Sequence, residues 1–452
     1  MTHGCDATIV MPHVVKVTRS AGVVQAASLL LLLFASPLAR ASTPRWAFCG
    51  ALWLGLLAFS ALVIKRLWAG QRLLPRSPLG PPLVVFIVLA LISSVFSIYR
   101  TATVWAFLRV LLYLAVFHVA LDLAGSRRGA RLLIGTVIGA GVCVAFIGFV
   151  KYHGGEAVAF NSTFVNYDHL AGYMEMVLCL GLGVFFHKPG ALRFLWPLLL
   201  GLILVALLLS LSRGGWVGGV AALDFMWVLF LIRRRTSSAG IWLSAAALVL
   251  VAGLTILASN PMIERLQSMR NPDDPSLGGR LVIWQASTRL IAEHPLHGSG
   301  LGAFPWAFPT VRPAGLGNRV REAHNDYVQI VTELGLPVLI PLLWGIWLVF
   351  RRGISIFLRT AGRFRAGIAI GSLGGIVSVL VHGLVDFNLQ ITANGILFST
   401  LVALAVGPEP WLASGARPNR RSRPGPPGTD RPAGGPWETR GGAGFRLLSD
   451  GP

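Results

Sequence analysis

The sequence predicts an all-α polytopic membrane protein of about twelve helices, and three observations carry that prediction. Of 452 residues, 54% are hydrophobic and only 13% charged, where a soluble domain carries about 25% charged residues. The apolar residues come in long blocks. Leu29–Phe34, Leu83–Val95, Leu198–Leu211 and Ala245–Ala258 sit in stretches long enough to cross a bilayer, which takes roughly 20 mainly apolar residues. In lipid each backbone polar group must be bonded internally, so such runs mean helices. The alternating segments of about ten residues that build a barrel do not occur. The third observation is charge. The net charge of +21 is not gathered on one soluble face but lies between apolar blocks, where membrane topology requires it. This argues against a nucleic-acid partner.

The blocks predict helices near 21–39, 46–64, 81–98, 103–123, 131–150, 169–186, 194–211, 215–232, 240–258, 325–350, 366–384 and 391–408. Ala39-Arg40-Ala41 also resembles a cleavage site, so the first block reads as a span or as a signal peptide. The twenty residues ahead of it favour the span. In the short loops the basic residues divide 19 to 5 between the two sides. The richer side holds the N-terminus and is expected to be cytoplasmic. Four regions follow the N-terminal segment 1–20. They are a membrane region 21–258 with nine helices, an outer loop 259–324, a second membrane region 325–408, and a cytoplasmic tail 409–452. The tail is rich in Pro, Gly and Arg and has no apolar period, so it is expected to be disordered.

In a membrane protein the informative polar residues are those topology does not need. Nearly all fall on the expected outer side. They are Asn161 to His169, the hairpin Ser210-Leu-Ser212-Arg213-Gly-Gly, Arg280, and His294 to Gly302. Arg321-Glu-Ala-His324-Asn325-Asp326 and the last turn with His382, Asp386, Asn388 and Gln390 complete the set. Arg109 and Glu175 each lie about six residues inside an outer helix end, and either pair with each other or line a cavity. Asp224, near mid-helix, has no evident role. Gly279–Glu293 is expected to be a helix with Ile283, Ala286 and Leu290 on one face. A second helix over His324–Leu334 is expected to break or kink at Gly335-Leu-Pro337. Pro337 to Phe350 alone gives about 21 Å of helix, too short to span, so the His324 segment is expected to dip into the outer leaflet. Asp273-Asp274, between two prolines, reads as a solvated turn, and His294 and His297 read as turn residues. Cys5, Cys49, Cys143 and Cys179 have no metal-site spacing and read as small buried residues.

Ser210-Leu-Ser-Arg213-Gly-Gly-Trp-Val-Gly218 resembles the Ser-x-Ser-Arg-Gly hairpin of the O-antigen ligase and polymerase superfamily. Gly279-Arg280-x3-Trp284 with His294-Pro-Leu-x-Gly298-x-Gly300-Leu-Gly302 is similar to the start of its large periplasmic loop. His324-Asn325, nine residues, then Gly335 is similar to the ligase signature. Asn161–Gly172 resembles the family's Phe-x-Asn segment, with Asp168 where Asn is often found, and Val338 stands where Gly is expected. The resemblance covers about 150–400. It implies metal-independent transfer of a glycan from undecaprenyl pyrophosphate, with inversion, at the periplasmic face of a bacterial inner membrane. The implied acceptor is lipid A core for a ligase, another repeat for a polymerase, or protein for an O-oligosaccharyltransferase; no cofactor is implied, and membrane lipids surround the chain.

The residue types suit that chemistry. A lipid pyrophosphate leaving group gains negative charge, and Arg forks bind phosphate oxygens in pairs. Arg213, Arg280 and Arg321 are the expected pyrophosphate ligands. His324 is the expected catalytic residue, which either takes the acceptor's proton or orients the acceptor. Asn166, Asp168, Ser212, Asn325 and Asp386 are expected substrate contacts. Two rival readings are a small-anion transporter and an envelope scaffold. The polar residues gather at one face rather than at the midplane between repeats, which argues against a transporter.

Overall fold

In the computed structural model, residues 12–155, 160–185, 195–233, 275–314 and 320–407 are described, and every regular element in them is a helix. The long helices are α1 Pro12–Leu38, α2 Arg45–Trp68, α3 Gly80–Val95, α4 Arg100–Ala124, α5 Arg127–His153, α6 Tyr167–Phe185, α7 Leu195–Leu209 and α8 Arg213–Arg233. After them come α9 Pro275–Glu293, α10 Asp326–Leu334, α11 Leu339–Arg359, α12 Arg363–His382 and α13 Thr392–Val406. Among the described residues, eight helical segments are long and apolar enough to cross a membrane; α3, α7 and α13 are shorter apolar helices. At 1.5 Å per residue these three reach about 22–24 Å, short of a hydrocarbon core of roughly 30 Å. Eleven of the expected spans therefore have a helix at their place. The ninth, at 240–258, lies outside the described residues, as do most of the N-terminal segment and the tail. The protein is an all-α polytopic membrane protein.

The centre of the bundle is α6 against α12. Every residue of α6 from His169 to Val184 is buried. The helices approach at backbone distance because glycines meet there. A Cβ on Gly183 would lie 2.5 Å from the Gly367 carbonyl oxygen, and one on Gly371 would lie 2.8 Å from the Cys179 carbonyl oxygen. Close backbone approach through small residues is a principal source of helix association in lipid. Cys179 is buried as expected, whereas Cys49 and Cys143 are only half-buried.

At the end of the bundle away from His382, basic side chains satisfy helix C-termini. Arg365 donates to the Leu404 and Gly407 carbonyls at 2.8 and 2.9 Å. Arg233 donates to those of Phe357 and Thr360 at 2.6 and 2.8 Å. These oxygens have no partner within their own helices, and a cation there also suits the helix dipole. Asp122 is held by Lys65 and Arg66. Asp224 is exposed on α8, and nothing in the structure explains it.

One expectation needs correction. The helix after Gly335 does not end at Phe350; α11 runs 21 residues to Arg359, about 31 Å, enough to span unaided. Arg351 does not stop it, because its guanidinium lies back over the Trp347 ring, 5.0 Å from the centroid. The His324 segment is therefore not needed to complete a crossing.

Candidate functional site

Three histidines surround one buried carboxylate where α6, α12, the turn after α12 and the start of α10 meet. Asp386 lies in that turn and is 1% exposed. Its Oδ1 is 3.6 Å from His324 Nδ1, and its Oδ2 is 3.8 Å from His169 Nε2 and 4.0 Å from His382 Nε2. The Phe387 ring packs edge-on against both His169 and His324, with centroids 4.6 and 5.0 Å away. Burial alone would raise the Asp386 carboxyl, but the three neighbouring imidazoles outweigh it and hold it below the usual carboxylate range. On the far side of His382, its Nδ1 is 3.1 Å from Glu175 Oε1. Of the two alternatives for Arg109 and Glu175, they do not pair with each other, and Arg109 lines an apolar groove. Arg109 instead donates to the Gln390 carbonyl and side-chain oxygens at 2.8 and 2.9 Å.

Local chain geometry aims His324 at this carboxylate. His324 is left-handed, with φ +51°, and precedes α10 rather than opening it. The helix starts at Asn325, whose side-chain oxygen accepts from the N–H groups of Tyr327 and Val328 at 2.9 and 3.0 Å. That is an N-cap. The same carboxamide donates to the Leu384 carbonyl at 2.8 Å, and the Asp326 N–H donates to the Gly383 carbonyl at 2.8 Å. The α10 N-terminus is thus bound to the turn that carries Asp386. His324 keeps its Nδ1 buried while its side chain as a whole is 35% exposed.

The other end of α10 is tied down by the glycine run. Gly298, Gly300 and Gly302 have positive φ. Ser299 N–H donates to the Thr332 carbonyl, and Gly300 N–H to that of Glu333. Gly302 N–H donates to the Glu333 carboxylate at 2.7 Å. A Cβ on Gly298 would lie 2.3 Å from the Glu333 backbone, and one on Gly335 2.6 Å from that of Leu296. The run is a clasp around the helix end, and His297 beside it stacks on Phe96. Inside the clasp, Gln329 donates to Glu322 and Glu333 at 2.6 and 2.9 Å. Burial pushes both carboxyls up to about 7.

The remaining expected residues take distinct places. Arg213 is the first residue of α8, half-buried, and its neighbour Gly214 touches the His382 ring: a Cβ there would lie 2.5 Å from Cδ2. Ser212 is fully buried, and its hydroxyl accepts from Gly215 N–H, capping α8. The Asn166 side chain accepts from Asp168 N–H at 2.9 Å at the start of α6. Arg280 lies on α9, whose Ile283, Ala286 and Leu290 are buried as expected. Trp284, one turn on, donates to the Ala323 carbonyl next to His324 at 2.9 Å. Arg321 is exposed. Asp273-Asp274 lies outside the described residues.

His169, Glu175 and His382, named among the outer-side polar residues but given no role in the site, complete the cluster. His382 carried one available signal, since it and Asp386 stand four apart at the end of an otherwise apolar helix. Glu175 and His382 are 207 positions apart, and no local pattern links them.

An apolar groove of about 280 Å³ is lined by Leu83, Phe86, Ile330, Leu342, Phe398 and Val402, with Arg109, Glu333 and Gln390 among its polar lining. No curated protein matches the chain. The family model that does match is described as O-antigen ligase and covers residues 198–343, a stretch that includes Ser212, Arg213, Arg280, Arg321, His324 and Asn325. Members of that family are ligase- and polymerase-type enzymes acting on lipid-linked glycans. Over that stretch, about a third of its length, the chain is similar to the O-antigen ligase family.

Proposed function

We propose that the protein is a metal-independent, inverting glycosyltransferase of the O-antigen ligase type. It moves a glycan from undecaprenyl pyrophosphate to lipid A core at the periplasmic face of a bacterial inner membrane, with both termini cytoplasmic. The observation that carries this reading is His324: one ring nitrogen faces buried Asp386, 3.6 Å away, while its side chain stays 35% exposed. A carboxylate behind an imidazole fixes its orientation and stabilises the cation formed when it takes a proton. The acceptor hydroxyl would lose its proton to His324 as its oxygen bonds the anomeric carbon and the C–O bond to pyrophosphate breaks.

Arg213, Arg280 and Arg321 are assigned to the pyrophosphate, where fixed cations offset the charge the leaving group develops. Asp168 is assigned to sugar hydroxyls. Asn166, Ser212 and Asn325 hold the backbone on which these groups sit. The groove by Phe86 and Phe398 suits the donor's isoprenoid chain, since it is apolar and Gln390 on its wall stands four residues after Asp386. The regions 259–324 and 409–452 are assigned as periplasmic loop and cytoplasmic tail.

Purified protein tests this with an undecaprenyl-pyrophosphate glycan, a chelator, and lipid A core, free glycan repeat or a periplasmic protein as acceptor. Transfer to lipid A core, lost in folded Arg213→Ala, Arg280→Ala and His324→Ala, is the expected result. Transfer to the repeat or to protein would reassign the branch to polymerase or O-oligosaccharyltransferase. No transfer from a competent donor, with anion uptake into proteoliposomes, would replace the reading by a transporter.

A further inference from the structure

Glu175 and His382 are 0% and 1% exposed and lie within the bundle, where ionisable groups are costly and rarely without a function. Packing alone does not call for them; an apolar pair of similar volume would fill the space at no electrostatic cost. Their geometry is directional. The imidazole presents Nδ1 to Glu175 Oε1 at 3.1 Å and Nε2 to Asp386 Oδ2 at 4.0 Å. An imidazole standing between two carboxylates can donate toward both only with an N–H on each ring nitrogen. Asp386 then has a cation on its inner side, and His324 need not supply one.

The glycines of α8 are shaped around this pair. A Cβ on Gly218 would lie 2.8 Å from Glu175 Oε2, and one on Gly214 would lie 2.8 Å from His382 Nε2. Ser210-Leu-Ser-Arg-Gly-Gly-Trp-Val-Gly218 is thus the contact surface of the pair as well as the place where Arg213 is mounted. The other charged or titratable groups around His382 are His169 and Asp168 on α6, Arg213 at the start of α8, Asp386 in its own turn and Asp326 at the start of α10.

We infer that Glu175 and His382 are positioning residues that hold the charge of Asp386 from behind and so leave His324 free to accept the acceptor's proton. The inference rests on the transferase reading above. Loss of either charge removes the inner support of Asp386, and its negative charge then bears more heavily on His169 and His324.

The test is the pH profile of kcat/KM for the full chain in nanodiscs, with undecaprenyl-pyrophosphate glycan as donor and lipid A core, repeat or protein as acceptor. Glu175→Gln keeps the shape and the hydrogen-bond acceptor but removes the charge. Its activity is expected to fail on the acid side about one pH unit higher than wild type, the scale set by one nearby charge. His382→Gln is expected to shift the same way, and because profile shape does not depend on the active fraction, a poorly folding variant still reports. A lower plateau with an unmoved acid limb in both variants overturns the inference and leaves a packing role. Absence of transfer by wild type overturns the transferase reading and the inference with it.

Discussion

Gly214→Ala is a one-carbon probe of the link between the α8 motif and the buried cluster. The new methyl would fall 2.5 Å from His382 Cδ2, 2.8 Å from its Nε2 and 2.9 Å from Val385 Cγ2. Carbon atoms in good contact stand about 3.5–4.0 Å apart, so the ring must retreat by about 1 Å. His382 is 3.1 Å from Glu175, and a retreat of that size breaks the contact. A hydrogen bond to a charged group contributes about 1.5–3 kcal/mol, while alanine in place of glycine returns up to about 1 kcal/mol of helix propensity. The net expectation is a loss of about 1–2 kcal/mol in stability. The rate should fall further, since a displacement of about 1 Å passed on to the reacting groups can cost about 100-fold. Gly219→Ala is the control: on the same helix, among the described residues, its methyl meets only Leu207, at 3.7 Å. Thermal unfolding in detergent and the transfer rate are measured for both. A Gly214→Ala protein that melts and turns over like wild type would refute the reasoning.

His324→Ala should lower the transfer rate about 100-fold or more, the usual contribution of a general base, and leave the melting temperature nearly unchanged because the side chain is partly exposed. Asn325→Ala should cost about 1 kcal/mol through the lost cap, plus the bond to Leu384; Asn325→Asp, which keeps the cap acceptor but not that donor, should fall between, by chemical denaturation in detergent. Stability should also depend on pH through Glu322 and Glu333. Their folded pKa values, about 7, lie above the ordinary 4.5, so the folded state keeps protons that the unfolded state has released. Stability is fully present below about pH 4.5, is lost as pH rises through about 7, and is flat beyond it. Unfolding measured from pH 4 to 8 reads this directly, and Glu333→Gln should flatten part of the slope.

The helices were legible because a bilayer leaves the backbone almost no alternative, and the ends of α4, α6 and α8 fall within a few residues of where the apolar blocks end. The extension of α11 was not, because Arg351 and Arg352 look like the end of a span. Sequence alone does not show that an arginine lies back on a tryptophan one turn earlier. At the site, His324, Arg213 and Asp386 stood out as polar residues that topology does not require. The purpose of the α8 glycines was hidden, since what they touch comes from α6 and α12. Asn325 and Ser212 looked like substrate ligands but complete helix termini, a role polar residues at helix starts often take.

The α10 N-terminus is fixed by the turn after α12: Asp326 N–H bonds to Gly383, and Asn325 to Leu384. A membrane protein is made from its N-terminus onward, and this turn lies in the last hairpin of the described bundle. A nascent chain that has not yet released residues 382–390 holds His324 without Asp386, and Arg213 beside no His382. Under the proposed mechanism such a chain is inert, and activity arrives with insertion of the final hairpin rather than growing with each helix.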